Sequence, residues 1–293
     1  MFRENKPIHL SPYDHPDIYP GPRPRDSFIF YKGVANQIEE QGRSLEDSIV
    51  HLTKGDHMYG SFISSLSESM TLKSFLEKEE KTPMRKRIPV LAYGSNVCLA
   101  QLLYKSSLNK GVSDLYICFR ATILDTDVVY GSFLAPYGAL PAIIAPVQDA
   151  KTEVWVTFLE PEQLEHMNKT ESGYQLREHT ANKINMKVVD KVKRIYSYYC
   201  EQALYVNGSL TRFPDIQGTS LLPSVWQADM LLLLKERCSF TGTREEFIHL
   251  LRWNHQFRQS VTEILRKHEV LLDHPDWLKC SSFLTLEKQA IER

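Results

Sequence analysis

No hydrophobic run approaches the ~20 apolar residues needed to cross a bilayer; the longest aliphatic run, Met230 to Leu234, is far shorter. Met1 to Pro7 lack the apolar core of a signal peptide. Neither sign of charge dominates: 35 Lys and Arg face 36 Asp and Glu, a net charge of −1. A nucleic-acid binder needs a basic face to release counterions, and Met84-Arg85-Lys86-Arg87 is too short to provide one, so no nucleic-acid and no membrane partner is expected. Five cysteines are scattered without a Cys-x-x-Cys pair. That spacing excludes a disulfide framework and a cysteine-based zinc site, and favours a reducing, cytoplasmic setting. The ten histidines hold no His-Glu-x-x-His, and no metal site is expected. No Walker or Rossmann glycine pattern occurs, so nothing suggests a nucleotide.

What is present is ordinary for a globular chain of 293 residues: 42% hydrophobic and 24% charged. Three regions differ in texture. Residues 1–86 open with a proline-rich arm, Pro7, Pro12, Pro16, Pro20, Pro22 and Pro24, where helix is excluded and extended backbone favoured. Helical spacing follows in Leu45, Ile49 and Leu52, and again in Tyr59, Phe62, Ile63 and Leu66. Within the core, residues 87–238, the stretch to about Cys200 is rich in aromatic and β-branched residues. They predict strands at Ile88–Ala92, Leu115–Leu124, Val128–Leu134, Ala142–Val147, Glu153–Leu159 and Lys193–Tyr199, with one short helix from Pro161 to Met167. Val225 to Cys238 reads as a helix closing this region. Residues 239–293 form a C-terminal helical extension, opening on the capping box Thr243-Arg244-Glu245-Glu246 and continuing along one apolar stripe to Leu265. Trp226, Trp253 and Trp277 read as packing residues.

Two short stretches carry chemistry. An apolar strand ends in Tyr93-Gly94-Ser95-Asn96, followed by a helix-like segment from Leu99 to Tyr104. Such a turn presents consecutive backbone N–H groups and a hydroxyl, which suit a carboxylate or a developing oxyanion. Farther on, the short helix leads into a turn carrying Glu171, with Tyr174 three residues later. A carboxylate just past a helix end is a candidate general base. Taken singly, each element has a plainer reading: Gly-Ser-Asn is common turn chemistry, and a loop Glu is most often simply solvated.

Taken together and in this order, the two stretches resemble the γ-glutamylcyclotransferase-like superfamily. The likeness rests on Tyr93 to Asn96 after the first core strand, and on Leu159, Pro161, Glu162, Leu164, Met167, Glu171 and Tyr174 in the strand–helix–turn pattern. Gly138 to Ile144 resembles the family's glycine-to-proline stretch, and Trp226 to Leu232 its late helix. Two positions depart: Val154 stands where many members carry Gly, and Asn168 where they carry Asp shortly before the Glu. The Arg-Glu pair of the glutathione-specific branch is not evident around Glu171.

The resemblance implies an α+β fold: a small mixed β-barrel or strongly curved sheet, flanked by N- and C-terminal helical extensions. It implies a cofactor-free reaction releasing 5-oxoproline from a γ-glutamyl amide or peptide. Glu171 would be the acid/base, Gly94, Ser95 and Asn96 would hold carboxylate or oxyanion, Tyr93 would pack the wall and Tyr174 would orient the substrate. The alternatives left open are a non-catalytic binding module and a γ-glutamyl-removing step in a specialised pathway. The helical extensions are candidate surfaces for a homodimer or a protein partner.

Overall fold

The computed structural model describes residues 10–53, 66–108, 111–171, 173–189 and 192–280. In chain order these form β1 (Phe28–Tyr31), β2 (Val34–Glu39), β3 (Ile49–Thr53), β4 (Leu66–Thr71), α1 (Leu72–Lys78), β5 (Ile88–Ala92), α2 (Leu99–Leu108), β6 (Tyr116–Tyr130), β7 (Ala142–Leu159), α3 (Pro161–Thr170), β8 (Gln175–His179), β9 (Ile184–Met186), β10 (Ile195–Tyr199), β11 (Gln202–Val206), β12 (Ser209–Leu210), β13 (Gly218–Thr219), α4 (Gln227–Arg237), α5 (Arg244–Trp253), α6 (His255–Arg266), β14 (Glu269–Leu271) and β15 (Leu278–Lys279).

The class is α+β. One large sheet follows the path β15-β8-β10-β5-β7-β6-β1-β2-β3-β4. The sheet is mixed, because β10 runs parallel to β5 while the other named pairs are antiparallel. Among the described residues the pairing path is open from β15 to β4 and closes no barrel.

Alternation along β5 divides the core, as the two-residue strand period requires. Ile88, Val90 and Ala92 pack with Leu99 and Leu102 of α2 and with Leu164 and Met167 of α3. Leu91 and Tyr93 face the opposite core, shared with Phe75 of α1, Leu231 of α4, Leu251 of α5 and Leu265 of α6. With helices over both faces, β5 is buried along its whole length, which is why it reads as a continuous apolar run.

The paired strands read as Leu115–Leu124 and Val128–Leu134 are one strand, β6, and those at Ala142–Val147 and Glu153–Leu159 are one strand, β7. The sequence breaks coincide with a register shift between Leu124 and Thr126. The helical reading of Leu45, Ile49 and Leu52 is overturned: Ile49–Thr53 is a strand paired on both sides, by β2 and β4. Tyr59, Phe62 and Ile63 lie outside the described residues. The long C-terminal helix is two helices, because Asn254 ends α5 and its side-chain oxygen caps α6 by accepting from Phe257 N–H. Trp277 is buried as expected, whereas Trp253 and Trp226 are exposed on the surface.

From residue 10 onward the proline-rich arm lies against the folded body. Arg23 donates from its two terminal nitrogens to the Tyr93 and Gly94 carbonyls at 3.2 and 3.3 Å. Asp17 and Asp14 of the arm pair with Arg244 and Arg252 of α5 at 2.8 and 3.4 Å. Among the described residues no helix is long and apolar enough to cross a membrane.

Candidate functional site

Strand register explains how two sequence-distant stretches meet. Ala92, where β5 ends, pairs with Trp155, while Leu159, where β7 ends, pairs with Ile88 at the other end of β5. The chain leaving β7 is therefore about 13 Å away from the Tyr93–Asn96 turn. Helix α3 runs ten residues from Pro161 to Thr170, a rise of about 15 Å. It is started by Glu160 and Gln163 in a reciprocal capping box and by Pro161 in its first turn. Leu164 and Met167 seat it on the sheet. The helix returns Glu171, its C-terminal capping residue, to the level of Asn96.

There the Asn96 side-chain N–H donates to Glu171 Oε1 at 3.2 Å. A third group, absent from the sequence reading, completes the cluster. Lys105 Nζ donates to Glu171 Oε1 and to Asn96 Oδ1, both at 2.7 Å. The lysine and glutamate side chains are only 9% and 15% exposed, so each charge is largely removed from water and satisfied by the other. Lys105 shares a face of α2 with Gln101, Tyr104 and Leu108, which all open on the same cleft. A lysine in line with buried Leu102 is a visible signal in the sequence, since a charge on an apolar stripe needs a partner.

The cleft has a volume of about 1090 Å³ and is walled by α2, the 133–141 loop, the end of α3, the arm and α6. Of the expected site residues, Ser95, Glu171 and Tyr174 line it. Asn96 reaches it through Glu171, while Tyr93 and Gly94 stand behind the wall. The Tyr93 hydroxyl donates to the Tyr198 carbonyl at 2.5 Å. Tyr174 presents its ring, but its hydroxyl is engaged, donating to the Ala142 carbonyl at 2.7 Å. Asn168, the departure from the family pattern, accepts from the Tyr198 hydroxyl at 2.7 Å, and its backbone carbonyl receives the Glu171 N–H. Burial drives the phenols of Tyr93, Tyr174 and Tyr198 well above their ordinary range, so all three stay neutral.

The arm supplies two further aromatic residues that the sequence reading missed. Tyr13 lies between Tyr104 of α2 and Tyr137 of the 133–141 loop, with ring centroids 4.4 and 4.8 Å away. Tyr19 is buried beside the Tyr93–Asn96 turn, and its oxygen accepts the Ala142 N–H at 3.0 Å. A Cβ added to Gly94 would lie 2.9 Å from that oxygen, so the glycine is required by the close approach of the arm. Among the described residues no group of three or more His, Cys, Asp or Glu side chains converges as metal ligands.

In comparisons with known proteins, no family model, curated protein or solved structure matches the chain.

Proposed function

We propose that the protein is a γ-glutamyl cyclotransferase-type enzyme that releases 5-oxoproline from a γ-glutamyl amide or peptide. One observation carries the reading: the two stretches that suggested it, 75 residues apart, meet at the Asn96–Glu171 hydrogen bond on the wall of a cleft. Glu171 takes a proton from the substrate's α-ammonium. The freed amine attacks the γ-carbonyl carbon, closing the five-membered ring. Glu171 then returns the proton to the leaving nitrogen as the γ C–N bond breaks, and the second proton of the ring nitrogen passes to the departing amine. Holding the glutamyl group folded on itself supplies much of the barrier reduction. The reaction as written uses no cofactor. A barrel-like curvature of the β5–β7–β6 region belongs to the same proposal.

The cleft volume of about 1090 Å³ is at the upper end for small-molecule sites. It leaves room for a leaving group larger than the glutamyl moiety. Incubation with a panel of γ-glutamyl amines, amino acids and peptides should release 5-oxoproline. Glu171→Gln should lower kcat by about 10²-fold or more. No turnover across the panel, or an active Glu171→Gln variant, overturns the reading.

A second reading draws on Lys105, whose ammonium already engages Glu171 Oε1. In that reading the cleft binds a γ-glutamyl compound without converting it. The same panel separates the two: saturable binding with no 5-oxoproline released supports the module.

A further inference from the structure

The arm brings to the wall of the cleft a tyrosine that the proposed reaction does not yet use. Tyr19 is 4% exposed and lines the cleft together with Ser95 and Glu171. Its oxygen accepts the Ala142 N–H at 3.0 Å, and the Ser95 N–H faces the same oxygen. With the Ala142 N–H accepted, the phenol still has its own proton to offer, and among the described residues no acceptor takes it. Buried tyrosine hydroxyls ordinarily donate to a partner. The position is held from several sides: Arg23 grips the Tyr93 and Gly94 carbonyls, and Asp17 is tied to Arg244.

We infer that Tyr19 is a catalytic residue whose O–H donates to the oxygen of a carbonyl or carboxylate bound in the cleft. On the cyclotransferase reading, on which this part rests, that oxygen is the substrate's γ-carbonyl oxygen as it gains negative charge. The expectation that the turn's backbone N–H groups meet the oxyanion directly is thereby altered. The Ser95 and Ala142 N–H groups act through the phenol, polarising its O–H in a short hydrogen-bond chain. The phenol keeps its proton throughout and gives only a hydrogen bond. Burial pushes Tyr19 up to about 12, against the opposing pull of the two N–H groups, so it is a neutral donor at physiological pH.

The test compares wild type with Tyr19→Phe, which keeps the ring. Turnover is followed on the γ-glutamyl panel, binding of 5-oxoproline and glutarate by calorimetry, and folding by thermal melting. A crystal of the wild type soaked with 5-oxoproline gives the oxygen-to-phenol distance without relying on the variant. The expected result is a ~10²-fold loss of kcat with KM changed by less than ~3-fold, and a ligand oxygen within hydrogen-bond distance of Tyr19 Oη. Wild-type turnover left unchanged by Tyr19→Phe overturns the role of Tyr19 and leaves the cyclotransferase reading standing. Absence of turnover, with ligand binding weakened ~10-fold by Tyr19→Phe, overturns the cyclotransferase reading and leaves Tyr19 as the ligand's donor. Wild-type protein that binds neither compound and turns over nothing overturns both.

Discussion

Lys105 Nζ lies 2.7 Å from Glu171 Oε1, and the pair joins α2 to the end of α3 at the back of the cleft. Neither side chain is solvated enough to tolerate the loss of the other. Lys105→Met should destabilise the fold by about 2–3 kcal/mol. In a Glu171→Gln background the same substitution should cost much less. Urea unfolding of the four proteins in this cycle reads the coupling, and a value near zero would remove the ion pair from the stability of the site.

Gly94→Ala places a methyl group 2.9 Å from the Tyr19 hydroxyl. The buried phenol has to move, breaking its bond from the Ala142 N–H. The variant should fold, with a loss of about 1–2 kcal/mol, and should lose at least ~10-fold in turnover or ligand binding. Wild-type function in Gly94→Ala would show that the approach of the arm to the turn is incidental.

Truncation before Arg87 should give insoluble protein. Phe28, Ile29 and Phe30 of β1 pair with Cys118, Ile117 and Tyr116 of β6. Their removal uncovers a strand edge flanked by apolar residues. Recovery of a soluble fragment with a cooperative melt would refute this.

His274 couples stability to pH. Its ring is 1% exposed and within 3.0 Å of the Thr126 hydroxyl, and burial lowers its pKa from 6.5 to about 4 despite the nearby Asp276. The unfolded chain therefore takes up this proton first as pH falls. The contribution is fully present above ~pH 6.5 and drains away towards pH 4, by roughly 3 kcal/mol at most. His179, whose ring packs tilted against Trp277, is lowered in the same direction by its own burial. Melting temperatures of wild type and His274→Gln across this window should converge as pH falls; parallel curves would exclude His274 as the titrating group.

Local chemistry made part of this molecule legible in advance. The Tyr93–Asn96 turn, α3 with its proline start, and the residues that became β5, β6 and β7 all announce themselves by composition and spacing. The break between α5 and α6 was missed, because the apolar stripe runs on past Asn254, although that residue's side chain is a good helix cap. The N-terminal strands were hidden for a different reason. Leu45, Ile49 and Leu52 have helical spacing, but β3 owes its form to non-local pairing with β2 and β4, which local pattern does not encode. Tyr19 was hidden in the same way. A proline-dense segment has no period from which to infer a facing surface, and only the folded body gives that residue its neighbours.

Ala142 shows what such a site looks like to mutagenesis. Its N–H holds the phenol of Tyr19 and its carbonyl holds that of Tyr174, so the main-chain unit of one residue at the start of β7 fixes two aromatic residues that line the cleft. Side-chain scanning leaves this unit intact and would score the position as silent. Its importance would emerge only from changes to the main chain itself, such as proline or an ester bond in place of the amide.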